Sequence, residues 1–329
     1  MTPREAALRA WTHGIFLTDS YTLAPASSDA SVRRYFRIRL PGTSYIVMDA
    51  PPAAIDSRPF IAIAAALIDL GLNAPRVLDA DLDQGFLLLT DLGERQYLAE
   101  LHDTSVERLY GDALTALLRL QLAGDPRRAA LPDYDEAFVR RELEIFRDWF
   151  LLRYLRLDLS AAEQDALDAA VAALAANALE QPRVWMHRDY HSRNLMLTER
   201  NNPGILDFQD SVCGPVSYDL VSLLKDCYVA WPHARVEAWA LAHRARLQAA
   251  GFRGIEDSLR FLRWFDLMGA QRHLKAAGIF ARLHLRDGKP GYLPDIPRTL
   301  GYVVDVGGRY SELAELGRLL KRWLPALDA

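Results

Sequence analysis

The chain of 329 residues is long enough for two domains or one bilobal unit, and its 50% hydrophobic and 25% charged residues exclude a disordered, fibrous or staple-dependent small protein. A net charge of −4 with a pI near 6.1 excludes the global basic field that holds nucleic acid. Of the 39 basic residues only Lys225, Lys275, Lys289 and Lys321 are lysine, so no chemistry in the first two thirds of the chain rests on a lysine.

Residues 4–17 carry the spacing of a short amphipathic helix. Residues 35–40, where apolar and basic side chains alternate from Phe36 on, and residues 44–48 read as strands. Pro41 and Gly42 between them are a turn signal and predict a β-hairpin. Residues 59–70 read as a helix, with Pro59 in the first turn and Gly71 as its stop. A short strand falls within 73–82 and a buried one at 85–90, ended by Asp91, Leu92 and Gly93. Long helices follow at 104–123, 134–156 and 160–179, the stripe of Leu143, Phe146, Phe150 and Leu151 being core. A β-rich, loop-rich stretch at 183–219 interrupts them, and helices resume to the end. A strand-rich part before a helical part predicts an α+β, two-lobed fold divided into 1–92 and 93–329, with a linker at 90–93.

Cys213 and Cys227 form no CxxC and no patterned framework, which fits a reducing compartment. The first residues lack a secretory apolar run, and the longest charge-free apolar run, 59–68, falls far short of the ~20 residues that span a bilayer. These features predict a cytoplasmic protein with no membrane or nucleic-acid partner.

The chemistry concentrates in residues 184–220, where polar groups crowd between apolar strands at 194–198 and 204–208. Polar side chains beside buried strands are costly unless paired or used. His187, Arg188 and Asp189 followed by Asn194 reproduce the kinase catalytic-loop spacing H-R-D-x-x-x-x-N, and Asp207, Phe208 and Gln209 stand where an Asp-Phe-Gly motif falls. Phosphoryl transfer needs hard oxygen ligands for a divalent metal on two neighbouring segments and a third carboxylate beside the attacking hydroxyl. Asn194 and Asp207 supply the first and Asp189 the second. His187 and His191 share the four-residue spacing of a zinc HExxH pair, but Arg188 occupies the position that motif requires to be Glu.

The run from His187 to Asn194, then Asp207, then Gly214, Pro215, Asp219 and Leu220, resembles the aminoglycoside phosphotransferase family, the small-molecule branch of the protein-kinase-like fold. The resemblance implies a small N-terminal lobe on an antiparallel sheet, a larger mostly helical C-terminal lobe, and use of ATP and Mg2+. It makes Asp219 a structural buttress of the catalytic loop and His187 a support of it. The blocks 49–52, 85–93, 187–196, 206–210, 218–228 and 272–289 are similar to the anomeric amino-sugar kinases of bacterial cell-wall recycling. That similarity implies phosphorylation of the anomeric hydroxyl of N-acetylmuramate and/or N-acetylglucosamine to the 1-phosphate. Other acceptors met in the family, aminoglycosides, choline or homoserine, are the alternative, as is a nucleotide-binding scaffold without activity.

The departures lie near the N-terminus. Residues 27–31, including Ser28, stand in place of a Gly-rich phosphate loop and contain no glycine. The strand-lysine position falls near Met48, and no glutamate lies between Glu5 and Glu94, so the usual Lys–Glu pair is absent. Guanidinium binds phosphate bidentately, and Arg33, Arg34 and Arg37 flank the loop, with Arg34 or Arg37 expected in the lysine's role. Leu89 and Asp91, bordering the linker, are expected to bind the adenine through the backbone.

Residues 231–300 hold twelve basic and six acidic residues, a net of +6. Such a wall suits an anionic sugar such as N-acetylmuramate, whose lactyl group is a carboxylate, or it is a solvated face. Candidate substrate contacts are Arg188, Tyr190, His191, Asp210, Tyr228 and Arg272, with Trp231 and the two tyrosines able to stack on a sugar ring or to fill core.

Overall fold

The structure is a computed structural model that describes residues 2–18, 20–26, 32–127 and 129–324. The chain divides into two compact units, one of Met1–Arg95 with Met196–Gln209, the other of Gln96–Leu195 with Asp210–Ala329.

The first unit begins with α1 (Pro3–Phe16), started by a reciprocal capping box between Thr2 and Glu5. Five antiparallel strands follow: β1 (Thr22–Pro25), β2 (Arg34–Leu40), β3 (Thr43–Asp49), β4 (Val77–Asp81) and β5 (Phe86–Thr90), in the spatial order β1-β2-β3-β5-β4. α2 (Arg58–Asp69) connects β3 to β4. The predicted hairpin is β2–β3, and Gly42 closes its turn at φ +78, where glycine carries no Cβ penalty. β1 escaped the sequence pattern because it is a four-residue edge strand with exposed ends and no apolar alternation. Leu8, Ile38, Val47, Phe86 and Leu88 form the buried centre of this unit. Asp49 ends β3 with a fully buried carboxylate that accepts from Arg4 Nε at 2.8 Å and from Arg34 Nη2 at 2.5 Å.

Residues 196–209 complete this unit. Ile205 N donates to Asn73 O at 2.7 Å, and the Phe208 ring packs 4.9 Å from that of Phe60. The strands predicted at 194–198 and 204–208 shrink to the two-residue pair Leu195–Met196 and Gly204–Ile205. Asp207 turns the chain out of the extended conformation at φ +61.

The second unit is helical: α3 (Tyr97–Glu100), α4 (Val106–Ala123), α5 (Glu136–Ile145), α6 (Ala161–Leu179), α7 (Tyr218–Leu224), α8 (His233–Ala249), α9 (Ser258–Asp287), α10 (Ile296–Gly307) and α11 (Ala314–Trp323). An antiparallel pair of strands distant in sequence, Arg183–Met186 with Val212–Pro215, carries the loop described below. α9 runs for 30 residues and is buried along most of its middle, with α5, α6, α7, α8 and α10 packed against it. The helix predicted at 134–156 changes character partway: α5 passes into a π-helical segment, Phe146–Tyr154. Its wider turn lines up residues four apart, and the rings of Phe146, Phe150 and Tyr154 stack at 5.3 and 5.9 Å. The expected core stripe of Leu143, Phe146, Phe150 and Leu151 is buried throughout.

α9 meets the junction of α5 and the π-helical segment at Gly278. A Cβ there would lie 2.6 Å from the carbonyl of Ile145 and the amide nitrogen of Phe146, backbone atoms that cannot step aside. Gly278→Ala is expected to lower stability by about 1–3 kcal/mol or more, read as a fall in the midpoint of urea unfolding. An unchanged midpoint would mean that the two helices are not held at this distance.

Candidate active site

The strand Arg183–Met186 delivers the chain into the loop 187–194, and one buried carboxylate fastens its start. Asp219, in the first turn of α7, accepts from the backbone N–H of His187 at 2.7 Å and of Arg188 at 2.9 Å. Burial pushes its carboxyl up to about 7, with the two N–H donors opposing it and the charge of Asp189 adding to the effect. Asp189 N donates to His187 Nδ1 at 3.3 Å.

Arg188 holds φ +78, a conformation that costs a non-glycine residue about 1–3 kcal/mol and persists only where the surroundings enforce it. They do. Its Nη2 donates to Glu142 Oε1 at 2.7 Å, its Nη1 to the Asp210 carbonyl at 3.2 Å, and the guanidinium lies 4.9 Å from the centre of the Phe138 ring. The chain then folds around the Asp189 carbonyl, which accepts from His191 N and from Asn194 Nδ2, both at 3.0 Å. Asn194 N closes the turn on His191 O at 2.9 Å. Ser192 is pinned by Asp226, which accepts from its N–H at 2.9 Å and its hydroxyl at 2.5 Å.

Charge around Asp189 is strongly asymmetric. Loss of solvation pushes its carboxyl up, but Lys275, His191, Arg188 and Arg272 outweigh this and hold it at about 2. Asp189 is therefore ionised at every physiological pH. Lys275, on α9, reaches Glu142 Oε1 at 2.8 Å and the Tyr218 hydroxyl at 3.1 Å. Glu142 also accepts from the Tyr134 hydroxyl at 2.6 Å and Gln271 Nε2 at 3.0 Å. Burial opposes the ionisation of Glu142 as well, and Lys275 and Arg188 bring it down to about 2.

Sequence reasoning missed Glu142, Asp226 and Lys275. Glu142 had a signal: it interrupts the buried face of α5 between Val139 and Phe146, where an unpaired carboxylate is costly. Lys275 was counted only as part of a basic wall. Part of that wall is paired: Arg235 meets Asp103 and Glu107, Arg263 meets Glu180 and Glu312, and Arg298 meets Asp295. Arg272 and Lys275 are its two buried members.

Of the other expected residues, Tyr190 is a correction. It is fully buried and its hydroxyl donates to the Ala113 carbonyl of α4 at 2.8 Å, so it packs the loop from behind. Tyr228 stands edge-on to His191 with ring centres 5.6 Å apart, and Asp210 is exposed. In the first unit, Asp207 is exposed and Gln209 Nε2 donates to its Oδ1 at 2.6 Å. Arg34 is paired with Asp49, as described. Arg37 binds both carboxylate oxygens of Asp91, at 2.6 and 3.0 Å, and the Gly93 carbonyl at 2.7 Å, bracing β2 to the segment after β5. Leu89 is a buried residue of β5 with a strand on either side. Ser28 lies outside the described residues.

Among the described residues no three His, Cys, Asp or Glu side chains come together as a metal site. Asn194 and Asp207 each carry a hard oxygen donor of the kind that Mg2+ takes. No helix among the described residues is long and apolar enough to cross a membrane.

Residues 22–265 match the phosphotransferase enzyme family. A protein of Pseudomonas aeruginosa named N-acetylmuramate/N-acetylglucosamine kinase is 49% identical over 301 residues, covering 91% of this chain and 87% of its own. One of the same name from Neisseria meningitidis serogroup B is 42% identical over 322 residues, covering 96% and 95%. Among solved structures, a choline kinase from Streptococcus pneumoniae superposes with a TM-score of 0.60 at 12% identity, covering 92% of this chain and 99% of its own. An ethanolamine kinase of Plasmodium vivax does so with a TM-score of 0.61 at 11% identity, covering 86% and 82%. These two likenesses establish a shared kinase-like fold.

Removing the carboxylate that Arg188 and Lys275 share leaves two cations without their counter-charge. Glu142→Gln is expected to cost about 3–5 kcal/mol of stability, and the double variant Glu142→Gln/Lys275→Met to recover part of that loss. Denaturant unfolding of the three proteins checks this, and a double variant no more stable than the single would show that the pair is not coupled.

Proposed function

The chain belongs to the phosphotransferase enzyme family, and on that premise we propose that it transfers the γ-phosphoryl group of ATP to the anomeric hydroxyl of N-acetylmuramate and/or N-acetylglucosamine, giving the 1-phosphate. The reading is carried by near-half identity, over nine tenths of the chain, to a protein named for those two sugars. The ionised Asp189 at the centre of a fastened loop supports it.

Asp189 is the base. It orients the sugar hydroxyl and takes its proton as that oxygen forms the new bond to phosphorus and the bond to the leaving ADP oxygen breaks. Positioning and charge neutralisation carry the rate in such a reaction. Asn194 and Asp207 are the ligands that would hold Mg2+. When bound, the ion neutralises charge on the phosphate oxygens. The nucleotide belongs to the 1–92 lobe, with the backbone of the linker at Asp91 toward adenine, and the sugar to the 93–329 lobe; Leu89, paired to a strand on either side, is a support of that linker and not a contact. Arg34 is the cation that takes the place of the absent strand lysine: buried Asp49 orients its guanidinium much as a helix glutamate orients that lysine, and 43% of its side chain stays exposed. Arg37, with 11% exposed and its donors occupied by Asp91, Gly93 and Glu94, is the brace. The reaction is placed in the cytoplasm, where ATP is supplied and the two free cysteines stay reduced.

The test is transfer of phosphate from ATP by the purified protein to N-acetylmuramate, N-acetylglucosamine, choline and kanamycin, with the product identified by mass and by NMR of the anomeric carbon. Transfer to the two amino sugars at C1 is expected. Transfer to choline or kanamycin alone would place the chain with other acceptors of the family, and ATP binding with no transfer would make it a scaffold. Asp189→Ala is expected to lose transfer while still binding ATP, and Arg34→Ala to weaken ATP binding. Near-normal turnover by Asp189→Ala would sink the mechanism.

The low pKa of Asp189 depends on cations, of which Lys275 acts most strongly. With the cation removed, desolvation is less opposed and the carboxyl rises, so the base is lost at higher pH than before. Lys275→Met is expected to move the acid limb of the kcat/KM profile upward by at least about one unit. A profile superimposable on that of the unsubstituted protein would show that Lys275 does not set this ionisation.

A further inference from the structure

Three lysine or arginine side chains are buried among the described residues: Lys225, Arg272 and Lys275. Two have counter-ions, Lys225 on Asp266 at 2.6 Å and Lys275 on Glu142 at 2.8 Å. Arg272, one helical turn before Lys275 on α9, has none. Among the described residues its Nη1 meets only the Cys227 thiol at 3.5 Å, a weak acceptor, and 5% of the residue is exposed. A buried cation in this state is costly unless something outside the chain completes it.

The neighbouring carboxylates do not complete it. Asp226 has one oxygen on Ser192 and the other on Tyr228 N at 3.0 Å. Asp189 lies within electrostatic reach of Arg272 but not within ion-pair distance, and it is the base. A second buried donor or acceptor lies in the same neighbourhood: His191 Nδ1 has no hydrogen-bond partner among the described residues, and the ring feels the charges of both Arg272 and Asp189. A guanidinium with free donors and an unsatisfied imidazole nitrogen, both close to the base, describe an anion site beside the acceptor hydroxyl.

We propose that Arg272 is a specificity residue of the acceptor site, binding the carboxylate of the lactyl group that N-acetylmuramate carries and N-acetylglucosamine lacks. The proposal rests on the amino-sugar kinase reading above. The guanidinium presents two parallel N–H groups to a carboxylate, which fixes the sugar's orientation as well as its charge. Lys275 is not available for this, because Glu142 already neutralises it.

The experiment compares kcat/KM for the two sugars in the unsubstituted protein and in Arg272→Gln and Arg272→Lys. In Arg272→Gln the loss on N-acetylmuramate should exceed the loss on N-acetylglucosamine by roughly 10- to 100-fold, the range for one charge-assisted contact, with Arg272→Lys between. Equal losses on both sugars would overturn the proposal and make Arg272 a partner of Asp189 or of the transferred phosphate. The methyl ester of N-acetylmuramate, tested on the unsubstituted protein, decides the matter even if the variants fail to fold. The ester should be a poorer substrate than the acid by a similar factor, and equal use of ester and acid would overturn the proposal. Turnover of neither sugar by the unsubstituted protein is a separate result, which overturns the kinase reading itself.

Discussion

Charge balance around Glu142 is the constraint on which the loop 187–194 depends. Four groups converge on this one buried carboxylate: the Arg188 guanidinium, the Lys275 ammonium, the Tyr134 hydroxyl and the Gln271 amide. The two cations would each be unstable in a dry interior alone, and the carboxylate would be too. Together they tie α5, α9 and the loop at residue 188 into one electrostatic unit. Because Arg188 is held in a strained backbone conformation next to Asp189, the network fixes the direction of the chain there as well as the charge that Asp189 feels.

Two further carboxylates do complementary work along the loop. Asp219 takes the backbone N–H groups of His187 and Arg188 at its start, and Asp226 takes the N–H and the hydroxyl of Ser192 further along. Such N–H groups, turned away from strand partners by the tight turn, would otherwise be buried without acceptors. The loop is thus fastened by acids from behind and charged by bases in front. Rigid fastening matters for a reaction in which orientation contributes most of the rate.

In the first unit the same chemistry is built from arginine. Asp49 collects Arg4 and Arg34, and Asp91 is gripped at both oxygens by Arg37. Guanidinium suits this better than ammonium, since its planar fork can satisfy a carboxylate on one edge and leave the other available. The scarcity of lysine before residue 225 leaves the usual lysine–glutamate pair without material, and an arginine–aspartate pair occupies the sheet instead.

Much of the architecture was legible in the order of residues because its signals are local. Apolar alternation around Pro41 and Gly42 specifies a hairpin by backbone sterics, and helical spacing marks the long helices. The loop residues His187, Asp189 and Asn194, with Asp207 and Asp219 beyond, form a spacing rather than a composition, so the family could be read from them. What the sequence could not determine was which charges meet. Twelve basic residues between 231 and 300 look alike in a row of letters, yet several pair with acids at the surface while Lys275 and Arg272 are carried inward by the buried face of α9. Tyr190 looked like a stacking platform and is core, because its hydroxyl finds a backbone carbonyl 77 positions away. Spacing along the chain encodes local geometry, whereas the energy of a charge depends on its solvent and its neighbours, and only the packed tertiary structure decides both.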